Sequence, residues 1–210
     1  MGIALPGARS CPVRVILLGA PGSGKGTQGE RLARRLGVPH IASGELLRAH
    51  VRAESEIGRD IAARLARGDL VPDDLVIEIV GVAVTAAAEA GGYILDGFPR
   101  TRAQAERAHE LAVALGVEAQ AAVYLALDDE VARARLAGRA AGGRVDDADA
   151  AVIEHRLQVF HDNMRPILDF YDELGILVTI DASPPPDVVT EEILAALASM
   201  TGYPSAPASA

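Results

Sequence analysis

Only one cysteine, Cys11, and no tryptophan occur in this chain. A lone thiol closes no disulfide and cannot supply a cysteine-based zinc site, which excludes a disulfide-stapled scaffold. Aromatic residues make up 3% of the sequence, so Ala, Leu, Val and Ile must fill any core. Apolar runs stop short of the roughly 18 residues that a membrane span needs. Met1 to Pro12 contains Arg9 but no long apolar stretch, so no secretory leader is expected. Basic residues are outnumbered, with 20 Lys plus Arg against 29 Asp plus Glu and a net charge of -9. A nucleic-acid polymer needs a basic surface to bind, so it is not an expected partner, and neither is a membrane. A reducing, cytoplasmic location is the expectation. Lysine is nearly missing too: Lys25 stands alone among arginines. That one position carries a compact, flexible point charge instead of a planar guanidinium.

What is present suits one α/β domain. With 210 residues and 50% hydrophobic content, the chain can bury a sizeable core and still carry small inserted flaps. The β-branched run Val13 to Leu18, ending in Gly19, reads as a buried strand. An amphipathic helix follows the glycine-rich stretch as far as Leu36, stopped by Gly37 and Pro39. A short strand is expected over 38–41, then a helix with Ser43 as N-cap. Helical patterns cover 45–52 and 57–67, Gly68 ends the second, and Pro72 should sit in the first turn of a helix towards Ala90. Tyr93-Ile94-Leu95 reads as a strand that delivers Asp96. Next come a helix over 101–115, a strand over 121–127 and a helix over 130–137 that breaks at Gly138. A long helix to Leu174, kinked at Pro166, a strand over 176–180 and a helix over 187–200 complete the pattern. This alternation predicts a three-layer fold, a parallel sheet of about five strands with helices on both faces. Residues 1–210 then form a single domain with its core over 13–200. Segments 42–71 and 138–148 are expected as an inserted flap and a short lid, and 201–210 as a disordered tail.

Gly19-Ala20-Pro21-Gly22-Ser23-Gly24-Lys25-Gly26-Thr27 lies between a strand and a helix, the setting a phosphate-binding loop requires. Its glycines let backbone N–H groups turn towards phosphate oxygens, the helix start adds a positive dipole, and Lys25 adds a full charge. Gly26 follows the lysine where Ser or Thr is usual, so Thr27, one place late, is not assigned as a direct magnesium ligand. Asp96, at the end of an apolar strand, is the candidate neighbour of magnesium, acting through bound waters because Mg²⁺ releases water reluctantly. Arg100, Arg139, Arg144 and Arg156 can each make forked contacts to phosphate. Phosphoryl transfer needs charge stabilisation and no nucleophilic side chain. His40, His50, His109, His155 and His161 are scattered and read as structural or exposed.

Taken in order, these motifs resemble the nucleoside-monophosphate kinases, and among them the short-lid adenylate kinases. The resemblance spans Val13 to Leu197. It rests on the phosphate loop to Gln28, on Ala42-Ser43-Gly44-Glu45-Leu46-Leu47-Arg48, and on Gly68-Asp69-Leu70-Val71-Pro72-Asp73. It continues with Leu95-Asp96-Gly97-Phe98-Pro99-Arg100-Thr101, Gln104, then Arg139, Arg144, Asp146-Asp147 and Arg156-Leu157. It implies a P-loop enzyme that moves a phosphoryl group reversibly from Mg·ATP to AMP, giving two ADP. By this resemblance Gly22, Ser23, Gly24, Lys25, Gly26 and Thr27 hold ATP, Arg139 covers it, and the backbone near Pro184 meets its adenine. Ser43, Arg48, Asp69, Leu70, Val71, Gly97, Arg100 and Gln104 make the AMP site, and Arg144 and Arg156 span the reacting phosphates. Lys25, Arg100, Arg139, Arg144 and Arg156 are the implied catalytic charges. Mg²⁺ is the implied cofactor, a structural zinc is not expected in so short a lid, and a monomer is.

Ser43, Thr101 and Gln104 are adenylate-like, where the uridylate–cytidylate kinases resemble Ala, Asn and Asn. Gln104 can donate to and accept from a base at once. Ala42-Ser43-Gly44-Glu45 and Asp181-Ala182-Ser183 have a uridylate–cytidylate character, and Ser183-Pro184-Pro185-Pro186 departs from the family beside the ATP adenine. A uridylate–cytidylate kinase therefore stands as the alternative.

Overall fold

Apolar side chains alternate along the first strand, and the alternation builds both halves of the core. In this computed structural model, which describes residues 12–141 and 149–201 (by backbone alone at 139–141 and 201), β1 spans Val13–Gly19. Val13, Val15 and Leu17 enter one apolar cluster, while Ile16 and Leu18 enter the other. The same period of two recurs in β3 (Gly92–Asp96), where Ile94 joins the first cluster and Tyr93 and Leu95 the second. Both faces of the sheet are therefore covered, as a parallel sheet demands.

The remaining strands are β2 (His40–Ala42), β4 (Ala121–Ala126) and β5 (Leu177–Asp181). All five run parallel in the order β2-β3-β1-β4-β5. Helices α1 (Lys25–Leu36) and α8 (Pro186–Thr201) pack on one face. On the other lie α4 (Asp73–Glu89), α5 (Arg102–Leu115) and α7 (Ala150–Glu173). Two helices, α2 (Ser43–Arg52) and α3 (Glu56–Arg67), lie between β2 and α4 where a flap is expected. The last, α6 (Asp129–Ala141), joins α7 and the phosphate loop in a third small cluster of Ala20, Ala132, Leu136, Ile153 and Leu157.

The chain reverses its direction of travel across the sheet at β1, whose neighbours are β3 and β4. In open α/β sheets such a switch point opens a crevice beyond the carboxyl ends of the strands. Register brings Leu17 and Ala42 level with Asp96, and Gly19 level with Leu125, so those ends share one rim.

Several boundaries differ from the sequence reading. The second strand is displaced to 40–42 because its pairing with Ile94 to Asp96 decides its extent. Ser43 is not the N-cap of α2: Ala42 is, and the Ser43 side chain turns inward and is 1% exposed. Pro72 caps α4 from outside instead of entering its first turn, since its ψ of 135° is extended. Helix α6 does not break at Gly138 but runs to Ala141. A mid-helix glycine costs only about 1 kcal/mol, which good helix formers around it can offset. Helix α7 continues through Pro166 to Glu173. Of the lid expected over 138–148, residues 142–148 with Arg144, Asp146 and Asp147 lie outside the described residues, as do 202–210 of the expected tail and the Arg139 side chain; Thr201 itself ends α8.

Candidate active site

The turn from β1 into α1 is shaped by three glycines at positive φ: Gly19 at 146°, Gly22 at 87° and Gly24 at 92°. At Gly22 a Cβ would stand 2.7 Å from the carbonyl oxygen of Ala132, so the loop lies directly on α6. Gly24 is the N-cap of α1 and offers no side chain to its first N–H groups. Those donors, together with the helix dipole, remain for an anion. Lys25 reaches back over the loop, donating from Nζ to the carbonyls of Gly19 at 2.7 Å and Ala20 at 2.8 Å. Ser23 is buried and its hydroxyl has no hydrogen-bond partner among the described residues, while Thr27 is exposed on α1.

The loop forms one wall of a cavity of about 660 Å³. Gly22, Gly24, Lys25 and Gly26 line it on the side of the loop, and Arg48, Leu70, Gly97 and Arg100 line it too. Arg156 of α7 and Asp96 reach it as well. Arg100 donates from Nε to the Gly97 carbonyl at 2.9 Å. Crowding by protein, then by Arg156, pushes the Arg100 guanidinium below its ordinary value; Asp96 pulls it up and Arg48 adds to the depression. Arg100 still keeps solvent access, so it retains its charge. Arg48 is bound in part by Glu45, whose Oε1 accepts from both Nε at 3.1 Å and Nη2 at 2.7 Å.

Four other sequence-selected residues stand behind the cavity wall. Gln104 is 1% exposed, accepting from the Arg100 backbone N–H at 2.7 Å and donating to Asp73 Oδ1 at 2.7 Å. Ser43 is buried against Gly97, and its hydroxyl has no hydrogen-bond partner among the described residues. Val71 belongs to the core, and the Asp69 carboxylate is taken by Arg67 and His155. Pro184 lies away from the cavity, and the carbonyls just before it accept from Arg135 Nη2, Ala182 at 3.0 Å and Ser183 at 3.2 Å.

His40 was read from sequence as structural or exposed, yet it lines the cavity with Nε2 3.8 Å from Asp96 Oδ2. A legible signal for it existed. Gly29 lies inside α1, where glycine costs stability, and a Cβ there would stand 2.3 Å from His40 Nε2. Asp73 was missed as the residue that orients Gln104, and so were Phe160 and Met164, which supply apolar wall from α7. No residue type or spacing marked those three.

A phosphate loop at a switch point, facing gathered arginines across one cavity, defines a P-loop nucleotide kinase. Comparison with known proteins narrows the class. The adenylate kinase family profile matches residues 17–176. An adenylate kinase of Stenotrophomonas maltophilia is 42% identical over 186 residues, covering 88% of this chain and 99% of that protein. Adenylate kinases of Thermobifida fusca, 39% identical over 187 residues, and Xanthomonas euvesicatoria, 44% over 186, cover 89% and 88% of the chain and 99% of their own lengths. This chain belongs to the adenylate kinase family. It is an enzyme of reversible phosphoryl transfer between ATP and AMP, and nothing in these comparisons favours the uridylate–cytidylate alternative.

Proposed function

We propose that the cavity grips two nucleotides end to end, ATP on the phosphate loop and AMP between α2, the turn at 68–71 and the start of α5. The observation that carries this is the gathering of Lys25, Arg48, Arg100 and Arg156 on one cavity whose donor wall is an uncapped helix start. Backbone N–H groups of the loop and Lys25 bind the ATP phosphates. Arg48 and Arg100 hold the AMP phosphate, so the acceptor oxygen faces the terminal phosphorus in line. Arg156, with Arg144 and Arg139 from the lid, meets charge that spreads over the transferring group. Flap and lid closure excludes water, which would otherwise take the phosphoryl group in place of AMP. One chain supplies both sites, so the reading includes a monomer, acting in the cytoplasm where both nucleotides are at hand.

Mg²⁺ suits this site. Asp96 lines the cavity beside the phosphate loop, its Oδ2 3.7 Å from where a Cβ of Gly26 would stand, and among the described residues no three His, Cys, Asp or Glu side chains converge into a cage. That donor set matches an ion held mainly by phosphate oxygens and water, with one carboxylate behind the waters. Bound with ATP, Mg²⁺ neutralises phosphate charge.

For the acceptor base, Gln104 has its carbonyl occupied by Arg100 N–H and one N–H by Asp73. The carboxamide keeps one N–H and one oxygen lone pair, the combination that the ring nitrogen and adjacent amino group of adenine would meet. Assaying Mg·ATP with AMP, UMP, CMP and GMP in turn tests the whole reading. AMP should turn over fastest and Lys25→Met should lower kcat by roughly a hundredfold or more. Near-normal turnover of the Lys25 variant, or a preference for UMP, overturns it.

A further inference from the structure

The turn after α3 packs directly on the side chains of α7. Gly68 has φ at 79°, and a Cβ there would stand 2.6 Å from Arg156 Cγ and 3.5 Å from Val152 Cγ1. The next residue, Asp69, shares its carboxylate between two neighbours. Its Oδ2 accepts from Arg67 Nε at 2.8 Å, and its Oδ1 meets His155 Nε2 at 2.9 Å. Arg156 is thus pinned by one residue of the turn, while its sequence neighbour His155 hooks the following one. Leu70 and Arg156, on either side of this contact, both line the cavity.

We propose that His155 is a positioning residue for the acceptor site: when protonated it ties Asp69 to α7, holding the 68–71 turn and Arg156 in one arrangement. The proposal rests on the assignment of that turn to AMP. Asp69 stays anionic because Arg67 first, then His155, holds its carboxyl below the usual range, and its partner on α7 is an imidazole, a ring that gains a second N–H donor when it takes up a proton. The groups facing His155 are Asp69 and, behind it, Arg67 from the flap side. On its own helix its neighbours are Arg156 and Glu154, and Glu154 is bound by Arg133 of α6 at 2.6 Å. Protonation strengthens the N–H···O bond to Asp69. Deprotonation leaves at most a neutral hydrogen bond, and the turn loosens from α7. Both side chains are partly exposed, 46% for His155 and 31% for Asp69, so the effect has the size of a surface pair, roughly two- to fivefold in affinity.

The test is steady-state kinetics with saturating Mg·ATP and varied AMP between roughly pH 5.5 and 8.5. Wild type is compared with H155A, H155Q and H155K at each pH. AMP loses its own last phosphate proton near pH 6, but equally for every variant, so ratios to wild type isolate the protein. At the acid end the AMP KM of H155A should exceed that of wild type about threefold, converging as pH rises, with kcat within about twofold throughout. H155K, charged across the range, should keep the low KM to the alkaline end, and H155Q should give a ratio intermediate at the acid end. Parallel KM profiles for wild type and H155A, a loss confined to kcat, or no rescue by H155K overturns the proposal. Urea denaturation of the variants separates a loss of KM from a loss of folding. An enzyme inert towards AMP would instead overturn the assignment of the site.

Discussion

Gly22 and Gly24 sit two places apart in the phosphate loop, both at positive φ, and meet opposite surroundings. A methyl group at Gly22 collides with the backbone of α6, whereas one at Gly24 meets nothing within 4 Å. Gly24→Ala should therefore cost only the backbone strain, about 1–2 kcal/mol. Gly22→Ala should add overpacking to the same strain and lose about 3 kcal/mol or more. Urea denaturation of the two variants checks this, and equal losses would refute the steric part. Both glycines were legible from sequence as phosphate-loop positions. Their different tolerances were not, because Ala132 comes from a helix that reaches the loop only through the third cluster.

Among elements, the start of α5 does most to shape the acceptor side. Thr101 caps α5 by accepting from the Gln104 backbone N–H at 3.0 Å and donates to Asp73 Oδ2 at 3.1 Å. Asp73, in the first turn of α4, thereby receives Thr101 on one oxygen and Gln104 on the other. The cap, the Gln104 carboxamide and the Arg100 backbone share one network. Thr101→Ala should lower stability by about 1–2 kcal/mol and Thr101→Ser by much less, read by thermal or urea unfolding. Helices α1 and α8 are joined similarly. Buried Gln28 donates to the Pro186 carbonyl at 2.9 Å and accepts from Thr190 at 2.7 Å. This ties the helix that follows the phosphate loop to α8.

For the whole molecule, stability at high pH turns on Tyr171. Burial, and secondarily Tyr93, pushes its hydroxyl well above the ordinary value. The fold therefore favours the protonated phenol, while the unfolded chain releases its proton near pH 10. The corresponding stability is complete below that pH and is lost as pH rises above it, by up to about 1.4 kcal/mol per pH unit. Tyr171→Phe should flatten the alkaline limb of a stability curve measured from pH 9 to 12. An unchanged limb would place the loss elsewhere.

The sequence by itself determined the alternating elements, the phosphate loop and the arginines that could meet phosphate, since these depend on local periodicity, glycine and charge. Lys25 shows how far that goes: strand, glycines and helix start all lie within one short segment. It also suggested Gln104 as a base reader, but not its use of one face for Arg100 and Asp73. Only the tertiary structure decided that Ser43 turns inward, that α6 outlasts Gly138, that His40 meets Asp96, and that His155 hooks Asp69. Each of these depends on which distant backbone arrives alongside. The Asp69–His155 contact joins residues 86 positions apart, a pairing that no local pattern encodes because packing of the turn on α7 creates it.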